Sequence, residues 1–221
     1  MPTTTAILLF SRSAAAEARH KSFGIVREQG VRVARHLIER TDRTLRHVGL
    51  PVHRYDESRQ RGRSFGERLA NAAAEVFARG IDQLIIVGND CPTLRADDLR
   101  RAAGLLSRGD GVLGADRRGG AWLIGLHRRQ FDPDRFAGLP WQSRNLRDEL
   151  VKLFPGVCHL RELRDVNGLR DLHDQWVRLR SLLPELAFLL IDYVGVFGDP
   201  APGRTDRTRL PVVGRAPPTA A

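Results

Sequence analysis

The chain has 221 residues, a formal charge of +10, a pI near 11.0 and 42% hydrophobic residues, enough for one sizeable core and one domain. No 18-residue apolar span argues for a transmembrane helix, and the opening MPTTTAILLF has neither the basic n-region nor the apolar length of a secretory signal. Cys91 and Cys158 show no paired or metal-type spacing, which predicts a reduced, cytoplasmic protein.

In chain order, TAILLF (5–10) predicts a buried first strand. Residues 26–48 place Val26, Val33, Leu37, Ile38, Leu45 and Val48 at helical spacing, and Gly49 ends that helix. PVHRY (51–55) predicts a weak second strand. In SFGE, Ser64 and Glu67 form a capping box that opens a helix through Phe77, closed by Gly80. QLIIVG (83–88) is the strongest strand signal. Asp97 and Asp98 then fall in the first turn of a helix running to about Ser107, where the helix dipole favours acids.

DGVLGA (110–115) and AWLIGL (121–126) predict two further strands around DRRGG. A helix near 144–153, a short strand at Val157–Leu160 and one or two amphipathic helices over 168–196, broken near Pro184, complete the domain at residue 197. Residues 198–221, rich in Pro, Gly and Arg, predict a disordered basic tail. Strands alternating with helices imply an α/β fold with a mostly parallel central sheet flanked by helices. Ligands of such sheets bind beyond the carboxyl ends of the strands. That rule selects the loops Ser11–Lys21, Gly88–Pro92 and Asp116–Gly120.

The charge is almost all arginine, since Lys21 and Lys152 are the only lysines. Arginine alternates with Asp and Glu, as in RELRDVNGLRDLHD, which describes solvated helix faces and not a nucleic-acid patch. Anionic substrates are compatible with it. No HExxH, Walker or GxGxxG pattern occurs.

Asp90 supports two readings. Asn and Asp suit a strand-to-helix turn because their side chains bond nearby backbone. A carboxylate fixed by Pro92 at the lip of a central strand is also a ligand for a divalent ion, since Mg²⁺ takes one or two carboxylates plus substrate phosphates. GNDCPTL, DGVLGADRRGGAWLIGL, LPWQS and LRDVNGLRDL occur in that order. Together, from residue 5 to about residue 175, they resemble a family of GT-A-like transferases, the rSAM/selenodomain-associated glycosyltransferase-like proteins.

The resemblance implies the nucleotide-diphospho-sugar transferase fold, bound Mg²⁺ or Mn²⁺, and a nucleotide sugar or NTP as donor to an unknown acceptor. By motif, Asp90 corresponds to the metal-binding acid, and Asp165 and Asn167 to a late turn that adds a second metal contact. A polar turn capping the last helix is the alternative for that pair. The family's Pro-Gly-x-x-Lys-Thr-Arg-Leu loop is replaced by SRSAAAEARHKSFG, where Arg19, His20 and Lys21 keep a basic cluster. That cluster holds donor phosphates or is a solvated turn. Arg68, next to the capping box, is a further candidate phosphate contact.

Gly119 and Gly120 either admit a ligand close to the backbone or make a tight turn. Trp122 and Trp141 are candidates for the acceptor pocket, with packing the alternative and the preferred reading for Trp122. Where the family has an Asp before the glycine pair, this chain has Arg118, with Asp116 two positions earlier as a candidate base. Three functions stay open: glycosyl transfer from a nucleotide sugar, nucleotidyl transfer releasing pyrophosphate, and a binding or scaffold protein that has lost catalysis.

Overall fold

A computed structural model describes residues 3–21, 23, 26–109, 111–186 and 189. The expected tail, 198–221, lies outside them. Among the described residues six strands form one sheet in the order β2-β1-β3-β5-β4-β6. They are β1 (Thr5–Phe10), β2 (Val52–Tyr55), β3 (Gln83–Val87), β4 (Gly111–Ala115), β5 (Ala121–His127) and β6 (Cys158–His159). β1 is parallel to β2 and β3, and β4 to β6, whereas β5 runs antiparallel to both β3 and β4. The sheet is therefore mostly parallel with one reversed strand. Residues 116–120 are too few for a parallel crossover, which needs a dozen or more, so β4 and β5 must form a hairpin.

Alternate residues of β1 and of β3 enter opposite cores. Ala6, Leu8 and Phe10 pack with α3 (Phe65–Phe77) and α6 (Leu146–Leu153), while Ile7 and Leu9 pack with α4 (Ala96–Leu106) and Leu45 of α2 (Arg27–Arg46). A strand buried on both faces reads as a continuous apolar run, as TAILLF and QLIIV do. A third cluster joins Val33 and Leu37 of α2 to Val166, to Leu172 of α7 (Leu169–Asp174) and to Leu179 of α8 (Trp176–Leu182). It ties the late part of the chain to the early part. The break between α7 and α8 falls at Gln175, whose amide donates to the Asp165 carbonyl at 3.1 Å, ahead of the expected break at Pro184.

The Ser64–Glu67 capping box is present, with the Glu67 N–H bonded to Ser64 Oγ at 3.0 Å. Two helices fall where the sequence analysis placed loop or nothing. Ser11–Lys21 contains α1 (Ala14–His20): Ser13 caps it by accepting from the Ala16 N–H at 3.3 Å, and its alanines are strong helix formers. α5 (Pro133–Ala137) starts on Asp132, whose carboxylate accepts from the Asp134 and Arg135 N–H groups, with Pro133 at the first helical position.

Candidate active site

The carboxyl ends of β1, β3 and β4 open into a pocket of about 590 Å³. Backbone bonds draw three acids together there. Asp116 extends β4 and bridges to Leu163, and the Leu163 N–H donates to Ala115 at 3.3 Å. Three residues on, the Val166 N–H donates to the Asp90 carbonyl at 2.8 Å. Asp165 is thereby held between the ends of β3 and β4, and Asp90, Asp116 and Asp165 all line the pocket.

α1 delivers the cation that faces them. Lys21 follows its last turn and is buried, with Nζ bonded to Asp90 Oδ1, to Glu17 Oε1 at 2.8 Å and to the Val166 carbonyl at 3.1 Å. Burial lowers the Lys21 pKa, but Asp90 and Glu17 outweigh it and leave the group raised. An ammonium has three donors, and protein oxygens take all three. Lys21 thus reaches a bound phosphate only by releasing one of them.

Burial pushes the Asp165 carboxyl from 3.8 up to about 6, and the Asp90 and Asp116 charges add to this against a hydrogen bond from Cys91 and the charge of Lys21. Cys91 Sγ makes that bond to Asp165 Oδ1 at 2.7 Å, and its own pKa rises through burial and then the Asp165 charge. Asp116 is buried and accepts the Arg118 N–H at 3.2 Å, closing the β4–β5 turn.

Arg118 donates through both terminal nitrogens to the buried Asp171, from Nη1 at 3.4 Å and through a closer contact from Nη2. The second Asp171 oxygen also accepts the Asn167 N–H at 2.8 Å. Sequence reasoning missed Asp171 and Glu17. The i,i+4 spacing of Glu17 and Lys21 was the available signal for Glu17, once α1 is taken as a helix.

Residues 15–143 match the family described as an uncharacterized protein conserved in bacteria, DUF2064. The chain belongs to this family. The matched stretch contains Lys21, Asp90 and Asp116 and ends before Asp165, so the late acids of this DUF2064 chain lie outside it. None of the curated protein sequences matches the chain.

Among solved structures, the DUF2064 chain resembles a candidate nucleotide-diphospho-sugar transferase from Desulfovibrio desulfuricans G20, with a TM-score of 0.75 and 21% identity over 87% of this chain and 99% of that one. It also resembles Rv0371c from Mycobacterium tuberculosis H37Rv, with a TM-score of 0.55 and 14% identity over 82% and 100% of the two chains. The fold is that of the nucleotide-diphospho-sugar transferases, as the sequence resemblance implied.

Of the residues selected from sequence, Lys21, Asp90, Asp116, Gly120, Asp165 and Asn167 line the pocket, while Arg19, Arg68 and Gly119 do not. Arg19 is exposed in the last turn of α1, and Arg68 donates to the Arg63 carbonyl at 3.1 Å. Gly119 serves the turn: its φ is +88°, and a Cβ there would lie 2.1 Å from the Arg144 carbonyl oxygen. Trp141 lines the pocket. Trp122 lines it as well, and it also packs: it is buried, donates to the Arg161 carbonyl at 3.2 Å and covers Gly114.

The donor set suits a hard divalent ion, since Asp90, Asp165 and the Asn167 amide offer oxygen ligands. Among the described residues no group of three or more His, Cys, Asp and Glu is arranged to hold a metal by itself. One or two carboxylates completed by substrate phosphates is the arrangement that Mg²⁺ accepts.

Proposed function

We propose that the chain is a metal-dependent transferase that takes a nucleotide-activated donor, a nucleotide sugar, and passes its glycosyl group to an acceptor. The observation that carries this reading is the convergence of Lys21, Asp90, Asp116 and Asp165 in one pocket at the carboxyl edge of a nucleotide-diphospho-sugar transferase sheet. Asp90 and Asp165, with the Asn167 amide oxygen, would hold Mg²⁺ or Mn²⁺. The ion would offset the charge that builds on the departing diphosphate.

Lys21 pairs with Asp90 and holds it in place, and Asp116 is the base nearest the β4–β5 turn. Gly120 lets a ligand approach the turn, since a Cβ there would meet only the Asp116 side chain, at 3.8 Å. In this reading a donor phosphate meets Arg19 or Arg68 only if it extends past the pocket. Such catalysis is mainly positioning and charge stabilisation.

A second reading, a binding protein without turnover, is favoured by the full commitment of Lys21 to protein oxygens and by Arg118 where the resembling family has an acid.

Thermal unfolding with UDP- and GDP-sugars and with NTPs, each with and without Mg²⁺ or Mn²⁺, tests the proposal on the wild type and Asp90→Ala. A ligand at about 100 times its Kd stabilises by about 2.7 kcal/mol, or roughly 5–10 °C in a chain of this size. A metal-dependent shift with nucleotide sugars, absent in Asp90→Ala, supports glycosyl transfer, and one confined to NTPs points to nucleotidyl transfer. Binding without turnover on any acceptor supports the second reading. No shift with any ligand, or the same shift in the variant, rejects the metal site.

A further inference from the structure

One wall of the pocket is built from the β4–β5 turn and the segment 141–146. The two are locked together: Gly119 packs directly on the Arg144 carbonyl, and the Arg147 N–H donates to the Gly119 carbonyl at 2.9 Å. Each contributes an arginine to the pocket lining, Arg118 and Arg144. We propose that these two arginines form a subsite for a phosphate monoester on the acceptor. The proposal rests on the transferase reading and extends it to the acceptor's chemical class.

Arg118 is built as a presented group. Its side chain is 52% exposed, yet its partner Asp171 is only 6% exposed and is fixed by the Asn167 N–H. A guanidinium has five donors in a rigid fork. Two are directed at Asp171, which sets the orientation of the group and leaves three for a ligand. Arg144 is exposed and makes no ion pair among the described residues. A phosphate monoester carries about −1.5 to −2 charges at neutral pH, which two guanidinium groups match.

The acid on this wall does not oppose the assignment. Asp116 is buried and already accepts the Arg118 N–H. Asp165, the other pocket-lining acid whose charge acts on Arg118, accepts the Cys91 thiol at 2.7 Å, and the two arginines supply the positive charge of this lining.

Gln142 supplies an independent observation. It also lines the pocket, and it is the one described residue other than glycine with a positive φ, 63°. A left-handed conformation disfavours a residue with a side chain, and such strain concentrates where a ligand is held. Here it places an amide and the Ser143 hydroxyl beside Arg144, both able to donate to phosphate oxygens.

The test is calorimetric titration of the full chain with glycerol 3-phosphate, and with glycerol as the neutral control, on the wild type, Arg118→Gln and Arg144→Gln. Arg144→Gln breaks no ion pair among the described residues, so it reports on binding even where Arg118→Gln is poorly folded. The wild type is expected to bind glycerol 3-phosphate and not glycerol, and each variant to bind it about tenfold or more weakly, the loss of a charge-assisted hydrogen bond. Equal binding of glycerol and glycerol 3-phosphate, or an unchanged affinity in Arg144→Gln, overturns the proposal. A parallel titration with UDP-glucose and Mn²⁺ separates the two levels. Arginine-dependent phosphate binding without nucleotide binding rejects the transferase reading alone. Nucleotide binding with arginine-independent phosphate binding rejects the subsite alone.

Discussion

The thiol of Cys91 donates to the carboxylate of Asp165 at 2.7 Å, joining the turn after β3 to the late segment that completes the pocket. Both groups are displaced upward in pKa, and burial is the main cause for each.

The shift of Asp165 from 3.8 to about 6 has a definite sign. A carboxyl that holds its proton more tightly when folded adds stability that is fully present below pH 3.8 and is lost as the pH rises through about 6. At about 1.4 kcal/mol per unit the span is about 3 kcal/mol. Asp165→Asn keeps an acceptor for Cys91 and should be more stable than the wild type at pH 7, the two converging at pH 3.5. Urea midpoints measured from pH 3.5 to 7 check this. The difference between the two proteins is the quantity to read, because other carboxyls, such as Asp98 beside Arg161, are shifted down and contribute with the opposite sign. Parallel profiles would mean that Asp165 does not titrate in this window.

Cys91 is buried and Cys158 is partly exposed, and neither is in a disulfide. With the Cys91 thiol raised, its thiolate fraction at pH 8 is small. Ellman's reagent should modify Cys158 in the native protein within minutes and Cys91 only after unfolding. Rapid release of two equivalents from the folded chain would contradict the burial.

Lys21 and Glu17 are a buried pair, 8% and 5% exposed. Lys21→Met leaves Glu17 with only the longer contact to Arg12, at 3.7 Å, and removing one partner of a buried pair costs about 3–5 kcal/mol. The double variant Lys21→Met/Glu17→Gln should recover most of that loss. Because the Lys21 pKa is raised overall, the pair's contribution is complete below 10.5 and declines as the pH rises beyond it. Chemical denaturation of the two variants is the check. A double variant no more stable than the single one would show that Lys21 acts through Asp90 or through packing.

Gly119→Ala combines a positive φ with a 2.1 Å approach to the Arg144 carbonyl and should cost at least about 2 kcal/mol. Gly120→Ala has room and should stay within about 1 kcal/mol of the wild type. Thermal unfolding of the two variants side by side compares the neighbours under one condition. Equal melting temperatures would remove the case for a locked turn.

The strands, the long helices and the Ser64–Glu67 box were legible because each rests on local pattern, apolar runs or cap chemistry. The reversal of β5 was less so, since a doubly buried strand carries the same residues in either direction. α5 was announced by Asp132-Pro133 and was overlooked, and α1 was obscured because a basic loop was expected at that place. Within the site, Asp90 and Asp165 stood out by motif. Asp171 did not, because in RELRDVNGLRDLHD it looks like one more surface acid in an alternating run. Only its burial, at 4% exposure, separates it from Asp174 three residues later, and burial is set by the third cluster beneath α2.

The bond from Lys21 to the Val166 carbonyl closes a loop of 145 residues. During synthesis the first strand, α1 and even the whole of β3 can emerge and pair while Lys21 still has no Val166 to hold. The pocket therefore has a birthday late in translation. A nascent chain released before residue 166 would carry Asp90 and Lys21 but lack the carbonyl that takes the third Lys21 donor and the N–H that holds the Asp90 carbonyl.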